Sequence, residues 1–278
     1  MPDAGKTAKA SDGRTLCFAE WGDPNGRPVF SLHGTPGCRL LSSRKVEHQF
    51  DELVGSLGVR VITYDRPGYG ESGRNAGRRV VDSASDVAAI AGSLGIKQFA
   101  IEGGSSGSIH AMATAEVMGD RVTRIGMNAP MAPYFELGHE KWSQGQSDEI
   151  KEYIGWCKLG ENRFAAEMTR EDAQMRKGAS PDDPKQAGVL EQTKNGVWGW
   201  VDDEMAAMTP WGFSPSSIRI PTLILYDPEE TVLPRQHAEW LASHIKGSVL
   251  EVSTALGHRQ LGDPRADWTR MYQWLVEN

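Results

Sequence analysis

Short β-branched apolar runs alternate with segments of helical period along most of this chain, and that alternation restricts the fold more than any other feature. Thr15–Glu20 and Pro28–Leu32 read as strands separated by the turn-forming stretch Gly22-Asp23-Pro24-Asn25-Gly26. Val59–Tyr64 (VRVITY) is a third strand, closed by Asp65-Arg66-Pro67-Gly68. Val80–Leu94 then carries apolar side chains at helical spacing, Val87, Ile90 and Leu94 among them. Gln98–Ile101 reads as a strand, Ser106–Met118 as a helix and Val122–Met127 as a strand. Later come the strand Pro221–Tyr226 (PTLILY), the helix His237–Ile245, the strand Val249–Ser253 and a helix over Ala266–Val276. Strands feeding helices in this order predict an α/β fold, a mostly parallel sheet with helices on both faces. Binding and chemistry then belong at the carboxyl ends of the strands.

The rhythm is interrupted from Pro130 to Ile220, far beyond the ~2–6 residues that a strand-to-helix connection needs. Helix-like stretches (Asp148–Lys158, Glu161–Ala173, Ala187–Lys194) fill the gap, broken by Gly-Ala-Ser-Pro-Asp-Asp-Pro at 178–184. Five of the nine tryptophans fall here: Trp142, Trp156, Trp198, Trp200 and Trp211. The segment reads as a helical cap over the strand ends, with 131–215 as cap and 1–130 plus 216–278 as the α/β core. Trp198, Trp200 and Trp211 are expected to give part of a substrate cavity an apolar lining.

Composition narrows the partners. With 30 Lys+Arg against 37 Asp+Glu the formal charge is −7, and a nucleic-acid-binding surface would need the opposite surplus. No run approaches the ~18 apolar residues of a membrane span, and the opening MPDAGKTAKASDGRT has no apolar signal core. The three cysteines, Cys17, Cys38 and Cys157, have no metal-binding spacing and read as reduced thiols of a cytoplasmic protein. The expected partner is a small-molecule substrate, with no nucleic acid and no membrane.

Gly103-Gly104-Ser105-Ser106-Gly107 is a G-x-S-x-G match between a strand and a helix. The chain must turn sharply there with its central residue strained, and small flanking residues let strand and helix approach. Such a turn exposes the Ser105 hydroxyl and sets the next N–H at a helix amino terminus, where developing negative charge is favoured. A serine nucleophile needs a base oriented by an acid. His258 follows the strand Val249–Ser253, and Asp227-Pro228-Glu229-Glu230 follows the strand Pro221–Tyr226, so both reach the same edge in the order Ser, acid, His. His33-Gly34-Thr35-Pro36-Gly37, after Pro28–Leu32, can offer the Thr35 N–H to pair with that of Ser106 as an oxyanion hole.

Over nearly its whole length the chain resembles the α/β-hydrolase superfamily, and most closely its capped bacterial serine hydrolases, the esterase and aminopeptidase-like group. The resemblance rests on His33-Gly-Thr-Pro-Gly37, Asp65-Arg-Pro-Gly-Tyr-Gly-Glu-Ser72, Gly103-Gly-Ser-Ser-Gly107, Pro210-Trp-Gly-Phe213 and Gly257-His258. It implies an eight-stranded mostly parallel sheet, Ser105 as nucleophile, His258 as base, and Thr35 and Ser106 as oxyanion donors. The family's acid turn, G-x-x-D with a proline four residues on, corresponds here to Asp227-Pro-Glu-Glu230 with Pro234. Glu230 thus takes the acid position, with Asp227 as the competitor. Asp65–Ser72 is a structural turn by the same resemblance.

Glu102 departs from the pattern, since this strand position is normally apolar in such sheets. Burying an unpaired carboxylate costs several kcal/mol, so Glu102 is expected to be paired, raised in pKa or connected to solvent, or to hold a polar group of the substrate. His110 is expected to pack and His139 to lie at the start of the cap. The resulting expectation is a serine hydrolase cleaving an ester or related acyl bond through an acyl-enzyme, with no metal or organic cofactor. Amide or aminopeptidase-like hydrolysis, acyl transfer or cyclisation on the same residues, and a non-catalytic ligand-binding role are the alternatives.

Overall fold

The structure is a computed structural model and describes residues 5–277. In chain order its core begins with β1 (Lys6–Lys9), β2 (Thr15–Gly22), β3 (Arg27–Leu32), α1 (Ser43–Glu47), α2 (Phe50–Ser56), β4 (Val59–Tyr64) and α3 (Ser83–Ser93). It continues through β5 (Phe99–Gly104), α4 (Gly107–Met118) and β6 (Val122–Asn128). Five helices intervene: α5 (Tyr134–Trp142), α6 (Asp148–Cys157), α7 (Glu161–Met175), α8 (Ala187–Gln192) and α9 (Trp198–Ala207). The chain then closes with β7 (Thr222–Tyr226), α10 (Gln236–His244), β8 (Val249–Val252) and α11 (Arg265–Val276).

The eight strands form one sheet in the order β1-β2-β4-β3-β5-β6-β7-β8. β1 and β2 run antiparallel to their neighbours, and β4, β3, β5, β6, β7 and β8 are parallel. Alternating side chains on the central strands feed two separate cores. Phe30, Ile62, Phe99 and Ile101 pack with Val87, Ile90, Ile109 and Met112 of α3 and α4. Val29, Val61, Ala100 and Leu223 point the other way, onto Phe50 and Val54 of α2 and Trp268, Tyr272 and Leu275 of α11. A third cluster, with Tyr69, Phe164, Met168, Val197, Trp200 and Val201, holds α6, α7 and α9 together and joins them to the turn after β4.

Every strand expected from the sequence is present, but β1 is not readable from it. Lys6-Thr7-Ala8-Lys9 has little apolar content, and its conformation comes from pairing with Thr15, Leu16, Cys17 and Phe18 of β2 rather than from its own burial. Helices α1, α2, α5 and α9 are also unread. The first two are short, and α9 buries Gly199 through Glu204 on all sides, which erases the helical period. All three cysteines are buried and free, and no described helix is long and apolar enough to cross a membrane.

The site-bearing part of this architecture is the contact between β5 and α4. A Cβ on Gly107 would collide with the carbonyl oxygens of Leu32 and His33, and one on Gly103 with the backbone of Gly107. Rigid backbone cannot yield as a flexible side chain does. Gly107→Ala is therefore expected to destabilise the protein by about 1–3 kcal/mol in urea unfolding, as overpacked cores do. A midpoint equal to that of the wild-type protein would contradict the packing described.

Candidate active site

Four loops at the carboxyl edge of the parallel strands bring the candidate residues together. β5 ends at Gly104 and the next residue, Ser105, has φ +54°, a left-handed conformation rare for a residue with a Cβ. The turn is held by the Ser105 N–H donating to the Asn128 carbonyl at 3.0 Å and the Ser108 hydroxyl donating to the Ser105 carbonyl at 2.6 Å. Ser105 Oγ then stands 3.0 Å from Nε2 of His258, on the loop after β8. Nδ1 of the same ring lies 3.1 Å from Oε2 of Glu230, on the loop after β7, although the N–H direction is off-axis for a good hydrogen bond.

Glu230 is fixed by backbone. Its Oε1 accepts from the N–H groups of Thr231 and Val232, each at 2.8 Å, and its Oε2 accepts from the His258 N–H at 2.7 Å. Burial alone would raise its pKa, but the His258 ring and the N–H groups of Val232 and His258 outweigh burial and hold it down at about 2. Asp227, the competing acid, is engaged elsewhere. Arg259 grips it with two charge-assisted hydrogen bonds, Nε to Oδ2 at 2.6 Å and Nη2 to Oδ1 at 2.7 Å, and this pairing lowers its pKa. The structure thus brings Glu230, and not Asp227, to the imidazole.

The loop after β3 lies against Ser105. A Cβ on Gly34 would sit 3.4 Å from that of Ser105, and Thr35 Oγ1 is 2.6 Å from Ser106 Oγ. No described residue accepts a hydrogen bond from the backbone N–H of Thr35 or of Ser106. Arg66, fully buried, donates to the carbonyls of His33 and, at 3.1 Å, of Gly34. In a trans peptide the C=O and the following N–H point opposite ways, so anchoring the Gly34 carbonyl to Arg66 turns the Thr35 N–H away from it.

Arg66 is in turn paired with Asp203 of α9, through Nε at 3.0 Å and Nη2 at 2.6 Å. Asp203 also accepts from Arg78 at 2.5 Å and from the Thr35 hydroxyl at 3.1 Å. Burial opposes the charge on Asp203, yet Arg66 and Arg78 beside it hold its carboxyl well below the ordinary range. Sequence reasoning assigned Arg66 only to a structural turn and passed over Asp203, because nothing local marks two residues so far apart as partners. His110 packs beneath them, Nε2 3.5 Å from Asp203, with burial pushing its pKa down to about 4.

A cavity of about 390 Å³ opens on Ser105 and His258 and runs down beside the sheet. Its apolar wall comes from Leu41, Trp268 and Met271, and Gly188 and Val189 of α8 close it from the inserted helices. The three tryptophans expected to line it do not. Trp211 is fully buried, stacked on Phe213 and donating to the Ala207 carbonyl. Trp200 donates to the Tyr153 hydroxyl at 2.7 Å inside the third core, and Trp198 lies under the Arg74 guanidinium at 4.2 Å. Their bulk serves the packing of a segment with little apolar surface otherwise. Glu102 does line the cavity, hydrogen-bonded by the Ser31 and Tyr272 hydroxyls and not by a cation. His139 is exposed and away from it. The described residues contain no cluster of His, Cys, Asp and Glu suited to a metal ion.

Comparison with known proteins gives a consistent picture. A profile for the alpha/beta hydrolase fold matches residues 27–258. A proline iminopeptidase of Xylella fastidiosa is 29% identical over 117 residues, which cover 41% of this chain and only 36% of that protein. An AB hydrolase superfamily protein of Bacillus subtilis is 27% identical over 239 residues, 84% of this chain and 85% of its own. Among solved structures, an esterase from Exiguobacterium antarcticum superposes with a TM-score of 0.74 over 99% of this chain and 100% of its own, at 23% identity.

The Glu230 carboxyl generates a pH signature. Its pKa falls from the ordinary 4.5 to about 2 on folding, so its ionised form contributes stability fully above pH ~4.5. That contribution fades as pH falls from there towards 2. Denaturant unfolding of the wild-type protein and of Glu230→Gln should therefore differ most near neutrality and converge on acidification; a constant gap down to pH ~3 would contradict the assignment.

Proposed function

The chain belongs to the alpha/beta hydrolase fold family, and from that premise we propose that it is a serine hydrolase cleaving an ester or related acyl bond. One observation carries the proposal: Ser105 Oγ lies 3.0 Å from His258 Nε2, and Nδ1 of the same ring lies 3.1 Å from the Glu230 carboxylate, with Ser105 and His258 on the wall of a cavity. In this reading His258 Nε2 takes the hydroxyl proton as Ser105 Oγ bonds to the substrate carbonyl carbon. The carbonyl electron pair moves onto oxygen, where the Thr35 and Ser106 N–H groups receive it. Collapse expels the alcohol with the proton from His258 and leaves an acyl-enzyme, which water cleaves by the same steps. Glu230 keeps the ring oriented and offsets its charge.

Residues 131–215 act as the cap, with α8 over the cavity. These protein groups account for acyl transfer, and the proposal calls for no metal or organic cofactor. The cavity's size and its mixed lining fit a small, partly apolar substrate such as a carboxylic ester or lactone. Hydrolysis of an aminoacyl amide is the second reading, favoured by the stretch shared with a proline iminopeptidase.

The test is labelling with a fluorophosphonate followed by kinetics on p-nitrophenyl esters. The expected outcome is one adduct, on Ser105, and a loss of at least ~10³-fold in kcat for Ser105→Ala. Glu230→Gln should lower kcat by ~10²–10⁴-fold, and Asp227→Asn by far less. An active protein without an adduct on Ser105 would remove the proposal, and a Glu230→Gln variant with the wild-type rate would remove its acid. A panel that adds aminoacyl amides separates the two substrate readings.

A further inference from the structure

The cavity carries a second charged group that acyl transfer leaves unused. Glu102 of β5 is 7% exposed, and both of its hydroxyl donors, Ser31 and Tyr272 (the latter at 3.0 Å), reach the same oxygen, Oε1. No described donor reaches Oε2, and the carboxylate lines the cavity that opens on Ser105. Along extended chain the three residues from Glu102 to Ser105 span roughly 10 Å. Oε2 is not among the solvent-excluded unpartnered atoms of the described residues, so it stands open to the cavity and is set to accept from a group that enters it.

The cavity wall also limits the charge of that group. Lys45 of α1 lines the same space, its ammonium 4.3 Å over the Phe50 ring, attracted by the Glu102 carboxylate but within salt-bridge distance of no carboxylate among the described residues. Arg44 and Lys185 lie on the wall too, the first donating to the Gly262 carbonyl at 2.7 Å and the second 3.2 Å from Glu47. A cationic group would face Lys45 and Arg44, and an anionic group would face Glu102. The fit is a group that donates and accepts while carrying no net charge.

We propose that the inner end of the cavity is a subsite for a neutral hydroxyl or carboxamide of the substrate, which donates to Glu102 and accepts from Lys45. The proposal rests on the serine-hydrolase reading for where the reacting bond lies. It goes beyond that reading in naming the substrate's far end as polar and uncharged.

The test compares kcat/KM for p-nitrophenyl esters of hexanoate, ω-hydroxyhexanoate, ω-aminohexanoate and adipate, and for a matching set of acetate esters with the variable group on the alcohol chain. The expected result is a preference of about 10-fold or more for the hydroxyl member over the alkyl member in one of the sets. Glu102→Leu and Lys45→Met should each bring that ratio to one or below. Preference for the alkyl, ammonium or carboxylate member in both sets overturns the subsite, as does an unchanged ratio in the variants. Should Glu102→Leu fail to fold, Lys45→Met, a substitution at a partly buried position of the short helix α1, decides the matter.

If no ester turns over, the hydrolase reading has failed and the subsite is judged separately. Methyl ω-hydroxyhexanoate should then raise the melting temperature of Ser105→Ala more than methyl hexanoate does. An equal or smaller rise overturns the subsite.

Discussion

A single backbone reversal governs the geometry of this protein. At Ser105 the chain leaves β5 and enters α4 with a positive φ, a conformation that costs on the order of 1–3 kcal/mol for a residue with a side chain. It persists because both flanks are over-determined. Gly103 and Gly107 meet at a distance no other residue could occupy, and the Asn128 carbonyl takes the Ser105 N–H. The same reversal projects the hydroxyl away from the sheet, towards the loops that carry His258 and His33. Without it, the remaining candidate groups would surround empty space.

Much of this was legible in the sequence, for identifiable reasons. Strands such as Val59–Tyr64 and Thr222–Tyr226 are largely buried on both faces and so appear as nearly continuous apolar runs. The order of Ser105, Glu230 and His258, each just after a strand, follows from parallel topology, in which every strand ends on the same edge. What was not legible depends on packing between distant segments. The tryptophans of the insertion give no sign in the sequence of whether they face a cavity or a core, and in the structure they fill the core. Glu102 announced itself as an anomaly, but its hydroxyl partners, Ser31 on β3 and Tyr272 on α11, could be identified only once three elements had been assembled.

The two carboxylates after β7 show how environment divides labour between like groups. Asp227 and Glu230 lie three residues apart on one loop, yet one is paired with a guanidinium while the other faces an imidazole and accepts from three backbone N–H groups. Arg259, directly after His258, takes Asp227 out of competition. It thereby also ties the loop after β8 to the loop after β7, which sets the imidazole opposite its carboxylate.

The buried pair of Arg66 and Asp203 has an implication for how such proteins diversify. Helical insertions of this kind look modular, as though one could be exchanged for another to change what the pocket admits. Here the module supplies the counter-ion for a guanidinium that sits wholly inside the sheet-bearing half and grips the carbonyls of residues 33 and 34. Grafting a foreign insertion without an acidic residue at that spot would strand a positive charge in the interior, with a penalty of several kcal/mol. An exchange of this segment must therefore keep the aspartate or replace the arginine along with it.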